Sequence, residues 1–234
     1  AGNRVCVIDL DPQAHASRHL GVSLSDEALS TYDVLTGRAT LAQVRQTLTD
    51  NLSLVPAHLN LAAAEMELAG EVGREVILRD HLCSEPELFD YVVLDCPPSL
   101  GVLTLNALTA VNEVFLPLQP HFLALHGLSK LLQTIQLVAA RLNPALKLSG
   151  VVMCMYDAGT RLAAEVCGDV DEFFRSQAQS TTNCWSGAKM FQTKIRRNIR
   201  LAEAPSFGQS IFEYAPKSHG AEDYQNLAQE MLGV

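Results

Sequence analysis

Two short apolar runs, each ending in aspartate and proline, constrain the fold of this chain more than any other feature. They are residues 5–12 (VCVIDLDP) and residues 91–98 (YVVLDCPP). A continuous apolar run of this length, bounded by a breaker, predicts a strand that is buried on both faces, as in parallel sheets. Because open α/β sheets bind ligands beyond the carboxyl ends of their strands, the aspartates lie where a site is expected.

The candidate site residues in these runs are Asp9, Asp11 and Asp95. Burying a carboxylate without a partner costs several kcal/mol, so acids at the tips of buried strands need a cation or a proton. Sites for Mg²⁺ and phosphate hold the metal or its waters with such an aspartate. An aspartate can also cap the following helix. For one such strand, the helix cap and the Mg²⁺–phosphate site are equal alternatives. The presence of a second strand with the same pattern favours nucleotide binding.

The remaining pattern predicts strands that alternate with helices. Further strands are expected at 52–55, 114–118, 148–155 and 191–195, and helices at 30–35, about 38–48, 60–82, 104–111, 123–142, 161–174 and 219–232. This alternation predicts an α/β fold with a mostly parallel sheet and helices on both faces. We expect one domain covering residues 1–234, with a polar surface loop at 176–187.

Composition and charge exclude several classes of protein. Apolar residues make up 48% of the chain and charged residues 18%, which is typical of a globular protein. The net charge of −9 argues against a protein that coats nucleic acid. Residues 189–200 nevertheless carry five basic side chains and no acid, which indicates a local contact for phosphate. Six cysteines without a C-x-x-C pair indicate reduced cytoplasmic thiols.

Three segments together resemble the ParA/Soj/MinD partition ATPases, P-loop proteins with a deviant Walker A motif. The segments are RVCVIDLDPQAHASRHLGV, DYVVLDCPPSLGVLTLNAL and RRNIRLAEAPSFGQSIFEYAPKSHGAEDYQNLA. The resemblance implies ATP and Mg²⁺ as cofactors, Asp11 as the residue that places the attacking water, and Asp9 and Asp95 as residues of the Mg²⁺ shell. It further implies two sets of contact residues: Pro97, Tyr156, Ile195 and Arg196 for nucleotide, and Arg161, Arg197 and Arg200 for DNA.

The chain departs from this family pattern in its phosphate-binding loop. The family has a loop of the form K-G-G-x-G-K-T before the first strand seen here, and no K-G-G or G-x-x-x-x-G-K-[ST] motif occurs in the 234 residues. Such a loop supplies backbone N–H groups and a lysine to the phosphates. We therefore expect an N-terminally incomplete domain, without the family's first strand and P-loop, that as written does not bind or hydrolyse ATP with normal affinity.

The resemblance implies a DNA-partition or positioning ATPase. It would form an ATP-dependent homodimer on non-specific DNA, work with a ParB-like centromere-binding protein, and lie in the cytoplasm at the nucleoid. The alternative is a non-catalytic relative, an adaptor or regulatory subunit that binds a partner protein. A membrane-positioning relative is disfavoured because the C-terminal residues 222–232 are acidic, where a basic amphipathic helix would be needed. An unrelated dehydrogenase is disfavoured because no G-x-G-x-x-G motif follows a strand.

Overall fold

The computed structural model describes residues 2–86, 88–121, 124–177 and 183–233, with only the backbone for 124–126. The chain divides into two compact units, Ala1–Val111 and Asn112–Val234. The sequence predicts a single domain, and this stays a prediction. Each unit is built on its own sheet with helices around it, so the predicted α/β fold is confirmed.

The sheet of the first unit has four strands in the order β2-β3-β1-β4. Its strands are β1 (Val5–Asp9), β2 (Gln46–Thr49), β3 (Leu52–Val55) and β4 (Tyr91–Asp95). Its helices are α1 (His15–His19), α2 (Thr31–Leu35), α3 (Leu41–Val44), α4 (Leu61–Glu67), α5 (Ile77–Ser84) and α6 (Val102–Ala110). β1 pairs in parallel with both β3 and β4, whereas β2 runs antiparallel to β3.

The two apolar runs end up in different environments. In β1, which has a neighbour on each side, Cys6 and Ile8 are buried in the core. Within the described residues β4 is paired with β1 alone. Its Tyr91, Val92 and Val93 are 47%, 38% and 50% exposed. The expectation that both strands are buried on both faces is therefore wrong for β4, because its second edge has no described strand against it.

The sheet of the second unit has three parallel strands in the order β5-β6-β7. The strands are β5 (Glu113–Leu118), β6 (Lys147–Tyr156) and β7 (Lys189–Arg196). The helices are α7 (Ala124–Arg141), α8 (Arg161–Gln177), α9 (Ile199–Glu203), α10 (Ile211–Tyr214) and α11 (His219–Leu232). The apolar centre of β6, including Val151 and Met153, is fully buried against α8 residues such as Val170. This buried strand carries Tyr156 at its end.

Two predicted helices are corrected. The helix expected at 60–82 is instead α4, a short 3₁₀ turn at Leu68–Gly70, and α5. Gly70 and Gly73, the latter at φ +78°, interrupt the helical pattern. The helix expected to reach residue 48 ends at Val44, and Gln46–Thr49 forms β2 because the β-branched Thr47 and Thr49 suit a strand at an edge.

The predicted surface loop at 176–187 lies partly outside the described residues, since 178–182 are not described. The first of its residues, Ser176 and Gln177, belong to the end of α8. The last, Gly187, lies in a turn that precedes β7. None of the described helices is both long and apolar enough to cross a bilayer.

Candidate functional site

The carboxyl ends of β1 and β4 place the predicted acids side by side. Asp9 and Asp95 are register partners in the parallel pair β1–β4. The Leu10 amide donates to the Asp95 carbonyl at 2.8 Å, which extends the pairing beyond Asp9. The first unit thus brings together Asp9, Asp11 and Asp95 at one sheet edge, as the two apolar runs predict.

Asp9 is fully buried, and its carboxylate is used by the protein. Its Oδ1 accepts from the Asp11 amide at 3.0 Å, and its Oδ2 accepts from the Ser17 amide at 2.9 Å and the Ser17 hydroxyl at 2.7 Å. The Ser17 hydroxyl in turn accepts from the Ala57 amide at 3.1 Å. These bonds tie the end of β1 to α1 and to the segment after β3. Asp9 therefore holds the loop that carries Asp11.

Asp11 lies in a tight, strained turn. Its Oδ1 accepts from the Gln13 amide at 2.9 Å, and its carbonyl accepts from the Ala14 amide at 2.8 Å. Ala14, which is buried, has φ +54° in the left-handed region. For a residue with a Cβ this conformation costs about 1–2 kcal/mol. Strain of this kind is often stored at functional sites, and here it fixes the direction in which the half-buried Asp11 is presented.

Asp95 differs from Asp9 because the described residues give its carboxylate no hydrogen bond and no ion pair. The half-buried carboxyl has a raised pKa, first because burial disfavours its charge and then because Asp9 and Asp11 repel it. His15 and His19 on α1 act in the opposite direction. An uncompensated carboxylate beside two others suits a hard cation with oxygen ligands, so the residues present fit Mg²⁺.

The protein by itself does not complete a metal site here. Within the described part of the chain, no group of three or more His, Cys, Asp or Glu side chains is arranged to hold a metal ion. Mg²⁺ usually keeps several waters and takes only one or two carboxylates, with phosphates supplying the rest. The geometry thus fits an ion that shares its ligands with water and phosphate. Whether Asp9 and Asp95 belong to that shell stays a prediction.

The loop after β4 carries Pro97 and ends at Gly101, the N-cap of α6. A side chain at Gly101 would collide with Glu65, because the Glu65 Oε1 lies where a Cβ would be. This Glu65 oxygen is buried and has no hydrogen-bond partner in the described structure. Gly101 therefore allows α4 to approach the loop closely. Glu65 was not foreseen, since a glutamate inside a helical run gives no sequence signal.

The predicted nucleotide contacts of the second unit meet at the carboxyl ends of β6 and β7. Tyr156 and Arg196 are register partners, and Ile195 is buried in the core beside Val152. The Arg196 guanidinium donates to Asp223 at 2.6 Å, which raises the pKa of Arg196. These three residues are thus neighbours, and the Arg196 charge is already neutralised within the protein.

The buried Asp223 on α11 is a residue that the sequence analysis missed. Its carboxylate also accepts from the Arg196 amide at 2.9 Å. An exposed second acid, Glu222, accepts from the same guanidinium at 2.9 Å. Two adjacent acids in an acidic helix give no sign of which one turns inward. The structure identifies Asp223 as the residue that positions Arg196.

The predicted DNA contacts of the second unit are all exposed, but their charges are not equally available. Arg161 pairs with Glu165 at 2.7 Å, and Arg200 pairs with Glu203 at 2.8 Å. Such exposed pairs contribute little because water screens them, so a phosphate can replace the acid. The Arg197 guanidinium has no acidic partner among the described residues.

Sequence and structure comparisons agree on the type of protein. A family model described as an AAA domain matches residues 1–148. The chain is 42% identical to the sporulation initiation inhibitor protein Soj of Bacillus subtilis, covering 98% of this chain and 87% of that protein. It is 40% identical to the chromosome partitioning protein ParA of Caulobacter vibrioides, covering 99% and 83%.

A solved structure extends the comparison. Cobyrinic acid a,c-diamide synthase from Mycobacterium smegmatis, crystallised with ADP and magnesium, is similar with a TM-score of 0.79 and 34% identity, covering 99% of this chain and 82% of that chain. Fold and site together define an α/β protein of the P-loop NTPase type. Within that class, the chain belongs to the ParA/Soj/MinD family of partition ATPases.

Proposed function

We propose that the chain is the nucleotide-dependent unit of a system that partitions chromosomes or plasmids or positions other cargo. It would cycle through an ATP-dependent homodimer on non-specific DNA, cytoplasmic and associated with the nucleoid, and would meet a ParB-like partner there. The observation that carries the proposal is the meeting of Asp9, Asp11 and the unpartnered Asp95 at the carboxyl edge of β1 and β4.

The chain's own residues divide the work at that edge. Bound Mg²⁺ would neutralise charge on a triphosphate, and Asp95 with Asp9 would hold its waters. Asp9, fixed by Ser17, would keep the Asp11 loop in place. Asp11, whose Oδ1 already accepts from Gln13, would use its other oxygen to orient the attacking water. Orienting water needs no strongly shifted pKa, because phosphoryl transfer depends mainly on positioning and charge neutralisation.

We further propose that the polypeptide as printed binds Mg·ATP weakly. Its 234 residues contain no glycine-rich loop with a lysine for the phosphates. The acids at the carboxyl ends of β1 and β4 would repel a triphosphate, and Mg²⁺ alone would have to bridge them. An added parallel strand could pair with the outer edge of β4, since the described structure places a strand, β1, on only one side of Tyr91, Val92 and Val93.

The alternative function is that of a non-catalytic adaptor or regulatory subunit of this family. Such a protein would retain partner binding without hydrolysis. The discriminating measurement is ATP binding before and after a K-G-G-x-G-K-T loop with its strand is placed ahead of Ala1. If Asp9, Asp11 and Asp95 can support catalysis, the extended protein hydrolyses ATP. An adaptor would bind its partner protein equally well with and without the loop.

The test uses isothermal titration with Mg·ATP and measures phosphate release. We expect no micromolar binding by the polypeptide as printed, and binding with slow hydrolysis by the extended protein. Asp11→Asn in the extended protein should keep ATP binding and lower hydrolysis by about 10²-fold or more, as for removal of a positioned catalytic group. The control Asp50→Asn, a change in the exposed turn between β2 and β3, should do neither. Micromolar binding by the printed polypeptide would contradict the proposed impairment.

A further inference from the structure

A small hollow lies at the carboxyl edge of the β5-β6-β7 sheet. It encloses about 200 Å³, and its lining includes Gln119, His121, Asp157, Thr160 and Arg197, with Met155 at the rim. These residues follow β5, end or follow β6, directly precede α8 and follow β7. Three strand ends and one helix start therefore contribute to a single concave surface within the second unit.

Arg197 is the cation whose charge this surface leaves uncompensated. Other basic residues of 189–200 have partners in the described structure: Asp223 and Glu222 for Arg196, Glu203 for Arg200, and the rings of Tyr156 and Phe191 for Lys194 and Lys189. The Arg197 guanidinium has neither an acid nor a ring beside it in the part of the chain that is described. Its backbone amide donates to the Tyr156 carbonyl at 3.1 Å, so the residue is fixed at the hollow.

The other polar groups of the lining favour an anion, with one exception. Gln119 and His121 bring an amide and an imidazole, and neither side chain has a partner in the described residues. The Thr160 hydroxyl is already used, because it donates to the Asp157 carbonyl at 3.0 Å. Asp157 is the opposing charge, and its Oδ1 accepts from the Gly159 amide at 2.9 Å. Two hydrogen-bond donors, Gln119 and His121, and one cation without a described partner, Arg197, thus share the hollow with one carboxylate that accepts from the backbone.

The backbone at the rim is strained. Met155, the last residue but one of β6, has φ +50°, although a side chain makes this conformation unfavourable. Its side chain is exposed rather than packed in the core. Strained residues of this kind persist where the surrounding structure enforces them, and they cluster at ligand sites. Here the strain turns the chain so that Asp157 and Thr160 reach the hollow.

We propose that this hollow binds one tetrahedral oxyanion, a phosphate group, with Arg197 as its anchor. Pockets for drug-sized ligands span about 300–1,000 Å³, so the hollow suits one group rather than a whole nucleotide. The guanidinium matches two phosphate oxygens, and Gln119 and His121 donate to the others. The phosphate comes either from a DNA backbone or from the free anion; the first source deepens the DNA contact of the proposed function and rests on it.

The experiment measures two affinities of the full chain. The first probe is inorganic phosphate, followed by isothermal titration at constant ionic strength. The second is a labelled duplex DNA of arbitrary sequence, followed by fluorescence anisotropy over a series of salt concentrations. Arg197→Gln should weaken phosphate binding about tenfold or more, as expected for loss of a charged hydrogen-bond donor. Asp157→Asn, which keeps the Oδ1 acceptor, should strengthen it severalfold by removing the opposing charge.

The control is Arg175→Gln, an exposed arginine near the other end of α8 whose guanidinium pairs with Asp171 at 2.7 Å. It should leave both affinities unchanged. If Arg197→Gln also weakens DNA binding and lowers the slope of log affinity against log salt by about one, the phosphate belongs to DNA. If only phosphate binding falls, the hollow takes a free anion, and the DNA contact predicted for Arg197 fails while those of Arg161 and Arg200 still stand. If Arg197→Gln and Asp157→Asn bind phosphate as the unaltered chain does, the proposal is overturned.

Discussion

The carboxyl ends of the strands occupy equivalent positions in the two sheets, but they carry side chains of opposite charge. The carboxyl ends of β1 and β4 carry Asp9, Asp11 and Asp95. Backbone amides and the Ser17 hydroxyl donate to Asp9 and Asp11, whereas the described residues give the Asp95 carboxylate no hydrogen bond. The corresponding end of the second sheet carries arginines, and the described residues supply an acid for Arg161, Arg196 and Arg200 but not for Arg197. Because each end leaves one charge uncompensated, we propose a ligand of the opposite sign at each, a cation in the first unit and an oxyanion in the second.

The largest effect in this comparison should come from Asp9. Asp9→Ala leaves the Asp11 amide, the Ser17 amide and the Ser17 hydroxyl without their acceptor in a buried place. Because each orphaned buried donor costs about 1–3 kcal/mol, we expect the free energy of unfolding to fall by about 3 kcal/mol or more. Urea unfolding would measure this. Asp11→Ala, which removes one acceptor at a half-buried position, is the matched control and should cost less than about 1 kcal/mol.

In the second unit the corresponding change is Asp223→Ala. It removes the buried partner of Arg196, whose guanidinium is partly exposed and can turn to water. We expect a loss of about 1–2 kcal/mol, smaller than at Asp9 because the orphaned group is not sealed from solvent. Glu222→Ala, which removes the exposed acid on the same arginine, should cost clearly less than Asp223→Ala, because water screens an exposed pair. Equal losses for the two variants in urea unfolding would contradict the separate role given to Asp223.

A smaller effect of opposite sign is expected at Asp95. Its pKa is raised in the folded state, so the folded protein holds this proton more tightly than the unfolded chain does. Stability must then fall as pH rises from the unfolded value towards the folded one, and the penalty persists at neutral pH. Asp95→Asn should therefore raise the free energy of unfolding at pH 7 by a few tenths to about 1 kcal/mol.

This gain should shrink as the pH falls towards the ordinary pKa of an aspartate, because the Asp95 carboxyl then becomes protonated in both states. Thermal unfolding of both proteins between pH 7 and pH 4, without divalent ions, measures the difference. Asp50→Asn serves as the control for charge removal in general. A gain that does not depend on pH would mean that Asp95 is destabilising for a reason other than its charge.

The smallest effect concerns the strained turn. Ala14→Gly relieves the positive φ but adds freedom to the unfolded chain, so we expect a net gain of up to about 1 kcal/mol. Ala16→Gly inside α1, where glycine only adds freedom, should instead cost about 0.5–1 kcal/mol. Opposite shifts of the melting temperature for two substitutions two positions apart would locate the strain at Ala14. A loss at both positions would show that Ala14 is not strained.

Much of the first site was predictable because its signal is local. An apolar run followed by aspartate and proline specifies a buried strand and the place of its acid, and the register of β1 with β4 brings Asp9 and Asp95 together as expected. What could not be predicted depends on contacts between distant residues. Asp9 accepts hydrogen bonds from Ser17, eight positions away, and Arg196 donates to Asp223, 27 positions away.

The same reasoning explains where the sequence analysis failed on the fold. The run at 91–95 has the composition of a central strand, yet within the described structure it is an edge. Composition records the burial that a strand is suited to and says nothing about which neighbour provides it. The helix expected at 60–82 is interrupted at Gly70 and Gly73. The prediction missed this break because the good helix formers on both sides outweighed the two glycines in the pattern.

The most direct test of the account is a comparison of Asp95→Asn with the unaltered chain as Mg²⁺ is added at constant ionic strength. If the β1–β4 edge is a cation site, Mg²⁺ should raise the melting temperature of the unaltered chain, because an ion that binds only the folded state stabilises it. Mg²⁺ should have little effect on the melting temperature of Asp95→Asn. The variant is expected to be the more stable protein without Mg²⁺, and this difference in stability should disappear when Mg²⁺ is added. Equal responses of the two proteins to Mg²⁺ would contradict a cation site at this edge.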